Sequence, residues 1–137
     1  MGTWGAGPFD NDSAEELADD LAAETRGRRA ESLYKLFSAS IEQAQDADPS
    51  EVVAAAVIVA ASRPGTPISH EYPAVASWLE VAAAVDLSGL AAQALHTCLP
   101  EGGWYWQSWT REQDRSDAHD LFVKLVAALD RSSSSSQ

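Results

Sequence analysis

The chain has 137 residues, of which 45% are hydrophobic and 22% are charged, so its length and composition predict one globular domain. Its formal net charge is −12 and its isoelectric point is near 4.4. Such a surface repels phosphates, which argues against nucleic-acid binding by a general basic face. The same charge attracts basic proteins, so a basic protein is the partner class that composition favours.

Cysteine content and hydropathy restrict the chain further. Cys98 is the only cysteine, which rules out an internal disulfide and a cysteine-based zinc site. The first residues lack the basic and then apolar pattern of a secretory signal. The longest apolar run, Val52 to Ala61, is about half the length that spans a bilayer. We therefore expect a cytoplasmic protein with no membrane partner.

The first elements are an arm and an acidic helix. Residues 1–11 show no periodicity and predict an N-terminal arm that is ordered against the domain, with Trp4 and Phe9 as buried anchors. A helix is predicted to begin near Asp12 or Ser13, where two capping boxes overlap. The face of this helix opposite its apolar stripe carries the acidic residues Glu15, Glu16, Asp19, Asp20 and Glu24.

The rest of the chain predicts an all-α, single-domain bundle of five or six helices over residues 1–131, followed by a disordered serine-rich tail at 132–137. The helix at 49–62 is apolar all round, so we expect it at the centre of the bundle. Gly27 is expected to break the pattern, residues 62–73 to form a loop, and residues 86–89 to interrupt the helical pattern. The other helices are expected at 29–45, 73–84, 88–99 and 116–130.

The segment Asp10-Asn11-Asp12 could supply oxygen ligands to a hard cation. The residues that follow do not continue a calcium-loop pattern, so a helix cap is the favoured interpretation. The glycines at 2, 5 and 7 lack the lysine and the preceding strand that a phosphate-binding loop requires. They are more typical of an arm that passes close to other backbone.

Histidine and cysteine do not form a catalytic pattern. His70, His96 and His119 show no His-Glu-x-x-His spacing. His96 and Cys98 are two residues apart on a predicted helix, so their side chains point in different directions. Cys98 falls on an apolar stripe and is expected to be a small buried hydrophobe. We expect no cofactor and no metal ion, and the lack of a catalytic pattern favours a protein that is not an enzyme.

Three tryptophans lie close together before the last helix, at Trp104, Trp106 and Trp109. They are expected either to close one end of the bundle or to anchor a partner or ligand, since tryptophan is enriched at binding hot spots. Arg111 and Arg115 follow at helical spacing and could stack on these rings.

The opening stretch carries a family resemblance. It resembles the start of the uncharacterised bacterial family known as domain of unknown function 4259, whose members read Met-Gly-x-Trp-Gly-x-Gly-x-Phe-x-Asn-Asp-x-Ala. The resemblance implies a small, mostly helical bacterial protein over most of the chain and brings no established activity. The stretch "GGWYWQSW" is richer in tryptophan than the family pattern. The matching residues are Gly2, Trp4, Gly5, Gly7, Phe9, Asn11, Asp12 and Ala14.

The leading functional hypothesis is a non-enzymatic protein-binding module, for example an immunity- or antitoxin-like inhibitor with an acidic face for a basic partner. The alternative is a small-ligand- or metal-binding enzyme with a site between the N-terminal arm and residues 104–109. A third hypothesis is a scaffold subunit. The sequence does not indicate an oligomeric state. The candidate partner- or ligand-binding residues are Trp104, Trp106, Trp109, Arg111, Asp10, Asp12 and His119.

Overall fold

A computed structural model describes residues 12–63, 66–99 and 112–134. The regular structure in these residues is entirely helical, which confirms the predicted all-α bundle. The predicted arm at 1–11 lies outside the described residues. The α-helices are α1 (Asp12–Ala22), α2 (Arg26–Glu42), α3 (Pro49–Ala61), α4 (Pro67–Glu71), α5 (Val81–Cys98) and α6 (Glu112–Ser134), with short 3-10 helices at Ala44–Asp46 and Pro73–Val75.

Side-chain caps fix the starts of three helices. The Thr25 hydroxyl accepts a hydrogen bond from the backbone N–H of Arg28 at the start of α2 (3.3 Å). The Asp48 carboxylate accepts one from the N–H of Ser50 at the start of α3 (3.0 Å). Thr66 caps α4 in the same way. Each cap satisfies a backbone donor that a helix N-terminus leaves unpaired.

The central position predicted for α3 is confirmed. Every residue from Val52 to Ala61 is buried, and α3 contacts α1, α2, α4, α5 and α6. Its most extensive partner is α5, whose buried face also carries small residues such as Ala84, Ala91 and Ala94. Small side chains on both helices allow a close approach, and this pair forms the core on which the other helices pack.

The middle of the chain differs from the sequence-based expectation. One helix, α5, runs from Val81 to Cys98 through the expected interruption at 86–89. Buried Ser88 tolerates this position because its hydroxyl donates to the carbonyl of Ala84 (2.8 Å), and the remaining residues are mostly good helix formers. Residues 73–75 form a 3-10 turn instead of starting a helix, and α4 lies inside the expected loop.

The bounds of two other helices also differ from the prediction. α2 begins at Arg26 and includes Gly27 in its first turn, because the Thr25 cap outweighs the low helix propensity of one glycine. α6 extends beyond 116–130 at both ends, so its backbone enters the segment predicted as a tail (132–137). None of the helices in the described part of the chain is long and apolar enough to cross a membrane.

Candidate functional site

Helix α1 presents carboxylates on the side away from the core. Ala14 and Leu21 are buried against the bundle, which fixes the rotation of the helix about its axis. The residues of the opposite side are all exposed, and we call them the acidic face: Glu15, Glu16, Asp19 and Asp20. Glu24, the fifth predicted acid, follows α1 and accepts a hydrogen bond from the Ser32 hydroxyl (2.9 Å). Four carboxylates therefore project from a single short helix.

A groove runs between α1 and the segment 71–78, and we call it the α1 groove. Its volume is about 600 Å³. Most of its apolar lining is buried or half-buried, whereas Ala22, Pro73 and the three carboxylates are exposed. It therefore combines an apolar floor with negatively charged edges. The lining residues are Glu15, Ala18, Asp19 and Ala22 from α1, and Glu71, Tyr72, Pro73, Val75 and Trp78 from the facing segment.

Arg29, on α2, holds the two walls of the α1 groove together. Its Nε donates to the carbonyl of Leu21 (2.7 Å) and one terminal nitrogen donates to that of Ala22 (3.3 Å). The other terminal nitrogen donates to the carbonyl of Trp78 (3.2 Å), and the guanidinium lies 5.0 Å from the centroid of the Trp78 ring. One side chain thus satisfies carbonyls at the end of α1 and fixes the aromatic residue of the opposite wall.

Negatively charged side chains continue from the acidic face of α1 to the start of α3. Glu51 lies in the first turn of α3, and its pKa is raised above the ordinary glutamate value. The largest cause is burial, which disfavours the ionised carboxylate, and the charges of Asp48, Glu16 and Asp20 add to it. Like charges are therefore crowded where α1 packs on α3.

One acid of the α1 groove already has a cationic partner. The ammonium of Lys124, on α6, lies 2.9 Å from a carboxylate oxygen of Glu71. Both side chains are about half exposed (49% and 44%), so the pair contributes little stability. Among the described residues, neither Glu15 nor Asp19 has a side-chain hydrogen bond or an ion pair. Two carboxylates of the groove are therefore available to a cation from outside.

A second cavity of about 610 Å³ lies behind the 76–81 segment. Arg26, His70 and Glu80 are among its lining residues, and Nε of Arg26 donates to the carbonyl of Ser77 (3.1 Å). The hydroxyls of Ser62 and Ser69, which also line it, donate to backbone carbonyls. Both hydroxyls therefore donate to the backbone rather than to His70.

Cys98 has the environment that its apolar stripe predicts. It is 7% exposed, and its Sγ contacts the carbonyl of Ser40 at 3.5 Å. Burial raises the pKa of the thiol, which lowers the fraction of reactive thiolate. Nearby His96 is exposed, and its ring meets that of Phe122 edge-on at 6.0 Å.

Only two of the seven candidate residues singled out from the sequence lie in the part of the chain that the structure describes. Asp10, Trp104, Trp106, Trp109 and Arg111 lie outside the described residues. Asp12 is the first residue of α1, and His119 is exposed on α6. Within the ranges that the structure describes, no three His, Cys, Asp or Glu residues are arranged to hold a metal ion. The binding role of the predicted set stays a prediction.

Sequence reasoning missed the pairing that shapes the α1 groove. Trp78 packs partly against the core and also lines the groove. Its partner Arg29 is 49 residues away in sequence. No local periodicity signals such a contact, because neither residue belongs to a motif that links the two segments.

Comparison with known proteins places the chain in a family without a known activity. A family model described as a domain of unknown function, DUF4259, matches residues 2–120. No curated protein and no solved structure matches the chain. The matched segment contains the whole acidic face and the whole lining of the α1 groove.

Proposed function

Since the chain belongs to the DUF4259 family, whose activity is unknown, we propose from its own surfaces that it is a non-enzymatic module that binds a basic protein. The observation that carries this proposal is the acidic face: four exposed carboxylates on one helix in a chain of net charge −12. Such a surface accelerates encounters with positively charged partners and disfavours acidic ones.

The crowding of these charges supports a macromolecular partner. Like charges on and beside α1 repel one another, and the raised pKa of Glu51 reflects part of that repulsion. A partner that brings several cations to this side of the molecule relieves the repulsion at many points together. Such relief is an added source of affinity, and salt weakens it because ions screen exposed charges.

The test is affinity capture from a lysate of the native host, using the full chain and a charge-neutralised variant. The variant carries Glu15→Gln, Glu16→Gln, Asp19→Asn and Asp20→Asn. A matched control carries four neutral substitutions at exposed acids elsewhere, Glu31→Gln, Glu42→Gln, Asp86→Asn and Glu112→Gln. Both variants have the same net charge, so only the position of the lost carboxylates differs.

We expect the wild-type chain and the control to retain the same basic protein, and the α1 variant to lose it. Retention is expected to fall as salt increases. Equal retention by all three chains, or a captured partner with an acidic surface, would contradict the proposal. For an immunity- or antitoxin-like role, the captured protein would inhibit growth when expressed alone and be harmless when co-expressed with this chain.

A further inference from the structure

We propose that the α1 groove is the docking site for a basic amphipathic segment of the partner polypeptide. This inference rests on the proposed function and adds a site and a recognition chemistry to it. The segment places apolar side chains on the groove floor, and its lysine or arginine side chains reach the carboxylates of Glu15 and Asp19.

The size and lining of the groove suit such an occupant. Its volume of about 600 Å³ lies within the range of roughly 300–1,000 Å³ found for ligand pockets. Ala18, Val75 and Trp78 offer apolar surface between the charged edges. Lysine and arginine have long apolar stems below a charged head, so they can cover this surface while the charge stays at the solvent edge.

The charges of the groove select a cationic occupant. Its three acidic lining residues are Glu15, Asp19 and Glu71, and its lining includes no lysine, arginine or histidine. Lys124 already balances Glu71, which leaves Glu15 and Asp19 to the occupant. Both lie on α1, one turn apart, so a partner with two cations at helical spacing can meet both. An acidic or neutral apolar segment would leave these carboxylates uncompensated.

The walls of the groove are held in place before any partner arrives. The hydrogen bonds of Arg29 connect the end of α1 to the backbone of Trp78. The stacking of Arg29 on the indole also restricts the orientation of this ring. A fixed groove loses less conformational entropy on binding than a mobile one, so its modest area can support useful affinity.

The experiment uses short synthetic peptides and the full chain labelled with ¹⁵N. The first peptide places lysine and leucine at helical spacing, the second replaces leucine with serine, and the third replaces lysine with glutamate. The blocked variant is Ala22→Lys, which puts a cation into the groove at an exposed lining position. Its matched control is Ala23→Lys, since Ala23 is the next residue, is also exposed and lies outside the lining.

We expect the lysine–leucine peptide to shift the backbone resonances of α1 and of the 71–78 segment. Its dissociation constant should rise about tenfold with Ala22→Lys and change little with Ala23→Lys. The serine peptide should bind about tenfold more weakly than the leucine peptide, and the glutamate peptide should leave the spectrum unchanged.

Three outcomes would overturn the inference. The first is equal binding of the lysine–leucine peptide by both lysine variants, and the second is the absence of resonance shifts in the groove. The third is binding of hexylamine, a small amine, as tightly as the peptide. The last would assign the groove to a small amine. The capture experiment judges the proposed function separately. If the natural partner is lost from the α1 charge variant but kept by Ala22→Lys, the protein-binding role stands and the groove is not its site.

Discussion

The guanidinium of Arg29 lies 5.0 Å from the centroid of the Trp78 ring while one of its nitrogens donates to the carbonyl of the same residue (3.2 Å). Arg29 thereby contacts both the side chain and the backbone of one tryptophan, and its other nitrogens bind the end of α1. This one planar group therefore connects α1 to the 71–78 segment across the α1 groove. Lysine has the same charge but lacks the planar set of donors.

The substitution Arg29→Lys is therefore expected to destabilise the protein by about 1–3 kcal/mol, because most of these hydrogen bonds and the stacking are lost. Urea denaturation followed by circular dichroism measures the change. The matched control is Arg28→Lys, at an exposed neighbouring position, with an expected change within about 0.5 kcal/mol. Equal effects of the two substitutions would show that Arg29 is not a structural link.

Glu51 predicts a pH-dependent effect on stability. Because its pKa is raised in the folded protein, the native state binds the Glu51 proton more tightly than the unfolded chain. The contribution of this group to stability is present below the ordinary glutamate pKa and is lost as pH rises through the raised value. Glu51→Gln should therefore raise the free energy of unfolding at neutral pH, by no more than about 1 kcal/mol because the side chain is partly solvated.

The advantage of Glu51→Gln should shrink as the pH falls, since the wild-type carboxyl then becomes protonated. Thermal unfolding at neutral pH and near pH ~4 measures this trend. Glu31→Gln, on the exposed side of α2, serves as the control and should show little change at either pH. A loss of stability with Glu51→Gln at neutral pH would contradict the prediction.

Gly89 is a position where stability can be gained. It lies inside α5, it is exposed, and a methyl group added there would have no neighbour within 4 Å. Gly89→Ala is therefore expected to stabilise the protein by about 0.5–1 kcal/mol, since alanine loses less backbone entropy in a helix. Gly27→Ala, in the first turn of α2, also meets open space and should give a smaller gain near the helix end. An unchanged or lowered unfolding midpoint for Gly89→Ala would count against the prediction.

Cys98 should react slowly with thiol reagents in the folded protein. Burial limits access and raises its pKa, so modification requires local opening of the bundle. We expect labelling by Ellman's reagent to be at least about 100-fold slower in buffer than in concentrated urea. Cys98→Ala provides the baseline, and similar rates in the two solvents would show that α5 opens readily at this point.

The parts of the fold that could be predicted are those with a local cause. The apolar sequence around α3 predicts burial on all sides because no polar face remains to meet water, and Asp48 and Pro49 mark its start. The overlapping capping boxes at Asp12 and Ser13 predict the start of α1, and the helix begins at Asp12. The predicted interruption at residues 86–89 is wrong because helix α5 continues through them. Ser88 fits the helix through its burial and its hydrogen bond to the carbonyl of Ala84, and a linear pattern does not show that burial.

The candidate site was predictable only in its charge. The helical spacing of the acids along α1 predicts that they share one face, and the structure exposes all four, Glu15, Glu16, Asp19 and Asp20. The apolar wall opposite α1 comes from a segment about fifty residues later, and only the folded chain brings it beside the acidic face. The place of Trp78 in the groove depends on contacts between distant segments, such as its contact with Arg29.

The burial of α3 also has a consequence for biosynthesis. A ribosome delivers α1 and α2 before α3, but α5 and α6, which cover much of α3, are synthesised later. During that interval the segment Val52–Ala61, which has no polar face, is covered by only some of the helices that pack on it in the folded protein. The nascent chain therefore carries its most aggregation-prone stretch while its principal packing partner is still unmade. Slow translation between residues 62 and 98 would prolong this exposure and favour engagement by chaperones.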